Sequence, residues 1–171
     1  MSTLLQTEGL TYQEGCVCDF CKSQKAPIKS FYVIGSLRNP EIVSFANELQ
    51  AQGYEAFADW ISAGPDADDY LRDYAKARGL NYKQTLQTYA ARHIYEFDKF
   101  HLDHTDAAVM LMPAGKSGHL ELGYTIGKGK PGFIVFDSIP ERIDVMYQFA
   151  TEIFLSKEEF FKYLKEKQNA N

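Results

Sequence analysis

The segment PAGKSGHLELGY is the densest concentration of reactive and flexible residues in the chain. Gly115, Lys116, Ser117 and Gly118 follow an apolar run and lead straight into a helical pattern, so backbone N–H groups there can hold an anion or a polar ligand group. Glu121 is expected in the first turn or so of that helix, where the macrodipole favours an ionised carboxylate suited to act as nucleophile or base. A surface carboxylate that merely complements the dipole fits the same spacing. The loop is neither a Walker A motif, since the Gly-Lys pair lacks the required glycine spacing before it, nor a dinucleotide fingerprint, since its acidic residue is misplaced. Cys16, Cys18 and Cys21 form C-x-C-x-x-C, which offers three thiolates to a structural zinc ion. Such a site needs a fourth ligand from His101, His104 or another chain, and reduced cysteines in a tail are the competing reading. Asp66, Asp68 and Asp69 have no partners at metal-ligand spacing and read as a helix N-terminal charge cluster, so no metal is implied there.

These residues need a scaffold that brings distant segments together. Residues 1–29 carry the cysteines without a sustained period and read as an N-terminal arm, leaving 30–171 as one α/β domain. FYVIGS reads as a buried strand opening into a loop, and EIVSFANELQAQG as a helix that stops at Gly53. YEAFADW is a second strand, and residues 67–104 read as helical in two pieces broken near Gly79. DAAVMLMP and PGFIVFD are apolar runs of the kind buried on both faces of a parallel sheet. ERIDVMYQFAT reads as helical, EIFLS as a short strand, and KEEFFKYLKEKQ as a closing amphipathic helix. Strands alternating with helices predict a doubly wound parallel sheet of four or five strands, with ligands beyond the strand C-terminal ends. That rule selects the loops at 35–39, 59–69 and 113–121.

Composition narrows the function classes. With 45% hydrophobic and 24% charged residues, the 171-residue chain has enough apolar material for a folded core. A net charge of −5 is the wrong sign for a protein that coats nucleic-acid phosphates. No stretch has the length and apolarity of a membrane span or signal peptide, and with cysteines crowded at one end the expectation is a cytoplasmic protein with reduced thiols. Aromatic residues make up 14% of the chain, and flat rings suit flat ligands as well as cores.

An ordered set of motifs resembles the nucleoside 2-deoxyribosyltransferase superfamily, which includes the 2'-deoxynucleoside 5'-phosphate N-hydrolases. The set comprises Tyr32-Val33-Ile34-Gly35-Ser36-Leu37-Arg38, then Asp98 eight residues ahead of Asp106 in FDKFHLDHTDAAVMLM, then Glu121-Leu122-Gly123-Tyr124, and it spans about residues 31–165. The resemblance implies a flavodoxin-like domain that cleaves an N-glycosidic bond without a cofactor, with Glu121 as nucleophile, Asp98 as general acid and base, and Tyr32 orienting the glutamate. Water as acceptor gives a hydrolase, and a second base gives a transferase. On residue type alone, Tyr32 equally suits a core aromatic and Asp98 a solvated helix charge. Asp59 and Trp60 either contact the base or simply begin a turn. The resemblance implies that Gly35, Ser36, Arg38, Ser117 and Gly118 lie against the 5' end of the substrate. It also implies that Asp144 and Met146 reach a neighbouring subunit's site, hence a homodimer or larger homo-oligomer. A carboxylate at Asp144 suits a free 5'-hydroxyl better than a phosphate, which favours a deoxynucleoside over its monophosphate unless Arg38 or Lys116 compensates. The alternative is a non-catalytic nucleotide-binding or sensing module of the same fold, which would not depend on Glu121.

Overall fold

The computed structural model describes residues 27–169. Five strands form one parallel sheet: β1 (Ser30–Ile34), β2 (Glu55–Phe57), β3 (Ala107–Leu111), β4 (Gly132–Val135) and β5 (Glu152–Phe154), in the spatial order β2-β1-β3-β4-β5. Six α-helices accompany them: α1 (Glu41–Ala51), α2 (Ala67–Ala77), α3 (Tyr82–Leu86), α4 (Tyr89–His104), α5 (Lys116–Gly127) and α6 (Lys157–Asn169). This order is the flavodoxin-like doubly wound arrangement expected from the alternation of apolar runs and helical periods. Its reversal of direction between β1 and β3 parts the loops that follow those two strands, leaving a crevice at their C-terminal ends.

The period-two geometry of β1 assigns its side chains to two different cores. Phe31 and Val33 point into the layer made with Ile42, Phe45 and Leu49 of α1 and Phe160, Phe161 and Leu164 of α6. Tyr32 and Ile34 point to the opposite layer, shared with Leu102 of α4 and Leu122 of α5. α1 buries Ile42, Phe45, Ala46 and Leu49, one face of a 3.6-residue period, and the Asn39 side chain accepts from the Glu41 N–H at 2.9 Å where the helix begins. Asp106 fastens the start of β3 to that of β1: its Oδ2 accepts from the backbone N–H groups of Lys29 (2.8 Å) and Ser30 (3.0 Å) and from the Ser30 hydroxyl (3.1 Å).

Three elements differ from the sequence expectation. The second strand ends at Phe57, and Asp59–Ala63 is a 3-10 helix, so Asp59 and Trp60 do not lie on a strand. The cause is the Trp60 indole N–H, which donates to the Val33 carbonyl at 2.8 Å just past the last β1–β2 pair, Tyr32 with Phe57. A side chain thus satisfies the carbonyl that a longer β2 would have taken. Residues 67–104 form three helices rather than two, because Thr88 caps a new start by accepting from the Ala91 N–H at 3.2 Å. ERIDVMYQFAT contains only a 3-10 turn, Val145–Phe149, with no buried residue to anchor a longer helix.

Candidate active site

Tyr32 of β1, Asp98 of α4 and Glu121 of α5 interact within the layer on one face of the sheet. Tyr32 is the middle residue of β1 and is 1% exposed. Its hydroxyl interacts with the Asp98 carboxyl of α4, whose Oδ1 is buried and takes no hydrogen bond. Glu121 is the sixth residue of α5, in its second turn, so the expected macrodipole stabilisation falls away. Its carboxyl is in fact pushed the other way, up to about 7, first by burial and then by the charge of Asp98. Burial also raises Asp98, opposed by the Tyr32 hydrogen bond and by His101. The Tyr32 phenol is held far above its usual range by burial and by both carboxylates, so it remains a hydrogen-bond donor. Two like charges in a half-buried site resist simultaneous ionisation, so the pair loses its last proton near pH 7.

Glycines let the backbone close on this layer. A Cβ on Gly118 would lie 2.7 Å from Ile34 Cγ2, so α5 can settle onto β1 only because that side chain is absent. A Cβ on Gly35 would lie 2.2 Å from Ile42 Cδ1, which ties this glycine to the seating of α1. After β1, the Ser36 Oγ accepts from the Arg38 N–H at 3.2 Å, while the Arg38 guanidinium is exposed and pairs with Asp69 of α2 at 3.5 Å. Lys116 and Ser117 are exposed in the first turn of α5. Asp59 is exposed, whereas Trp60 packs against both cores with its N–H occupied, leaving it no polar group with which to read a base edge.

Asp144 and Met146 stand apart from the acid pair. Asp144 accepts from the Met146 N–H at 3.0 Å and starts the 3-10 turn. Both line an apolar cleft of about 400 Å³ with His119, Leu122, Gly123, Tyr147 and Phe149, a lining that includes none of Tyr32, Asp98 and Glu121.

Several partners have no local signature in the sequence. The His119 ring bonds at Nδ1 to the Gly115 carbonyl (2.8 Å) and at Nε2 to the Tyr147 hydroxyl (2.9 Å), so Nδ1–H donates and Nε2 accepts. The ring of Phe57 stacks on His101 with centroids 3.6 Å apart and lies 5.2 Å from that of Tyr32. His104 bonds the Phe100 carbonyl at 2.7 Å. Cys16, Cys18 and Cys21 lie outside the described residues; among those described, no group of three or more His, Cys, Asp or Glu is arranged to hold a metal, and no helix is long and apolar enough to cross a membrane. No protein-family model matches the chain, and no curated protein matches it.

Proposed function

We propose that this chain cleaves or transfers the glycosyl group of a nucleoside or nucleoside 5'-monophosphate at its N-glycosidic bond. The observation that carries the reading is the electrostatically coupled carboxyl pair, Asp98 and Glu121, with one buried phenol between strand and helices. Two carboxyl groups in different protonation states are what this chemistry requires. Glu121 in its ionised form attacks C1' while the C1'–N bond breaks. The leaving nitrogen takes the proton from Asp98, and a glycosyl ester forms on Glu121. Water or the nitrogen of a second base then attacks C1', gives its proton to Asp98, and releases Glu121 as a carboxylate. Tyr32 donates a hydrogen bond throughout and holds the acids in register.

Exposed and half-buried side chains outside the acid pair suit the remaining roles. Ser36, Arg38, Ser117 and the start of α5 form the proposed contact with the 5' end of the substrate, and Asp144 with Met146 the contribution from a neighbouring copy. The carboxylate at Asp144 favours a free 5'-hydroxyl over a phosphate.

Incubation with deoxynucleosides and their monophosphates, with and without a second free base, tests the proposal by chromatography of the released base. Wild type releases or exchanges a base, and Glu121→Ala does neither. Ligand binding by both proteins with release by neither rejects the enzyme and favours the binding-module alternative.

A further inference from the structure

We propose that Tyr124 and Asp103 form a clasp that fixes how helix α4 presents Asp98 to Glu121, which makes both of them positioning residues for the acid pair. The inference rests on the glycosidic-bond reading for what that pair does, but not for how the pair is held.

Helix α4 carries Asp98 and fully buries only Leu102, and its Phe97 and His101 rest on the ring of Phe57 with centroids 5.6 Å and 3.6 Å away. Polar contacts tie the same helix to α5. The Tyr124 hydroxyl of α5 donates to Asp103 Oδ1 at 2.7 Å, Lys128 Nζ donates to the same oxygen at 3.1 Å, and Lys99 Nζ bonds Oδ2. Both ammonium groups also sit over the Tyr124 ring, at 5.4 Å and 5.6 Å from its centroid. That ring packs against the core that holds Tyr32. Further on, Lys130 Nζ donates to the carbonyls of Leu102 (2.9 Å), Asp103 (2.6 Å) and Thr105 (2.7 Å), which closes the end of α4. Lys130 therefore holds the helix along its axis, and the bond between Tyr124 and Asp103 holds it in rotation together with the ring contacts to Phe57.

The spacing gives this contact leverage on the acids. Asp103 lies about 7.5 Å along the axis from Asp98, about 1.4 turns on, and Tyr124 about 4.5 Å from Glu121, about 0.8 of a turn on. A rotation of α4 by about 20° would swing a side chain at about 5.5 Å radius through roughly 2 Å, enough to alter a Coulomb interaction that scales inversely with distance. The ionisable groups facing Asp98 are Tyr32 from β1, Glu121 from α5 and His101 from α4 itself. Those facing Asp103 are Lys99, Lys128, Lys130 and Tyr124. Exposed ion pairs alone would be weak props, but the Asp103 side chain is only 22% exposed and its phenol partner is anchored in the core.

The test is a carboxyl-carbon NMR titration of wild type, Tyr124→Phe, Asp103→Ala and Asp103→Asn, with Glu121→Gln and Asp98→Asn assigning the signals. Tyr124→Phe and Asp103→Ala should each lower the Glu121 titration by about half a pH unit or more, while Asp103→Asn, which keeps an acceptor for the phenol, should move it less than half as far. A Glu121 titration within about 0.2 unit of wild type in Tyr124→Phe overturns the proposal. So does Asp103→Asn moving as far as Asp103→Ala while Tyr124→Phe stays put, because that assigns the effect to charge. Should Tyr124→Phe fail to fold, the comparison of the two Asp103 variants carries the same decision. The readout needs no turnover: a wild type that releases no base rejects the glycosidic reading and leaves the clasp standing, whereas normal base release with an unmoved titration rejects the clasp alone.

Discussion

At the scale of the residue, the proposed chemistry turns on one proton shared by two carboxyl groups. The competent form of the pair keeps one carboxylate for attack and one acid for the leaving nitrogen, so activity should fall on both sides of a maximum. The alkaline limb of kcat/KM belongs near pH 7, where the pair as a unit gives up its last proton and no acid is left for the leaving nitrogen, and the acid limb above the ordinary aspartate value of 3.8, where the pair takes up its second proton. In Asp98→Asn the residual activity should lose its alkaline limb, because the acid that the limb reports is gone and only Glu121 is left to ionise; an unchanged bell would reject these roles. The same displacement bears on stability. Glu121 titrates near 7 when folded against 4.5 for the free side chain, so its ionisation is penalised in the native state. The penalty is fully present above pH 7, shrinks as pH falls through the folded value, and is gone below the unfolded one. Glu121→Gln, neutral throughout, should therefore be more stable than wild type by up to about 3 kcal/mol near pH 8, with the gap closed by about pH 4, as read from urea unfolding midpoints.

Among the elements, strands and glycines decide where those residues stand. Gly118 and Gly123 lie on the same helix, yet only the first faces a wall. Gly118→Ala should cost about 1–3 kcal/mol and reduce base release, because its Cβ would meet Ile34 at 2.7 Å and Ala114 at 3.4 Å. Gly123→Ala meets nothing within 4 Å and should be neutral or stabilising by about 0.5–1 kcal/mol in a denaturant titration. The parallel strands and the amphipathic helices were legible from the sequence because burial on both faces leaves unbroken apolar runs such as Ala107–Leu111, and one-sided burial leaves a helical period in α1. The early end of β2 was not, because it depends on the Trp60 indole reaching a carbonyl 27 positions away in the chain. The same reason hid the bonds of Tyr124 to Asp103 and of His119 to Tyr147, which span 21 and 28 positions. Local pattern carries the elements; contacts made across the fold carry the site. Trp60→Phe, which keeps a ring but removes the donor, should cost about 1–3 kcal/mol by leaving the Val33 carbonyl unpaired, measurable as a lower unfolding midpoint.

The whole molecule divides its aromatic and apolar side chains between core and surface in an uneven way. Phe31, Phe45, Phe133 and Phe160 pack on one another beneath α1 and α6, with ring centroids 5.6–6.2 Å apart. By contrast, Leu120, Ile143, Met146 and Phe149 are 77%, 85%, 60% and 71% exposed, and Met146 and Phe149 line the apolar cleft beside α5. Exposed apolar side chains at the cleft suit the proposed contact between copies, in which Asp144 and Met146 of one chain complete the site of another. Sedimentation should then show a dimer or larger species, and Phe149→Glu should shift it toward monomer. A sharper test mixes two inactive proteins. Glu121→Ala lacks the nucleophile, and Asp144→Ala lacks the group offered to the neighbour. If the two roles sit on opposite chains, subunit exchange creates mixed dimers with one intact site each, half of the population at random assortment. Base release should recover to about a quarter of the wild-type rate. Recovery no greater than the sum of the two separate proteins would show that each chain works with its own residues alone.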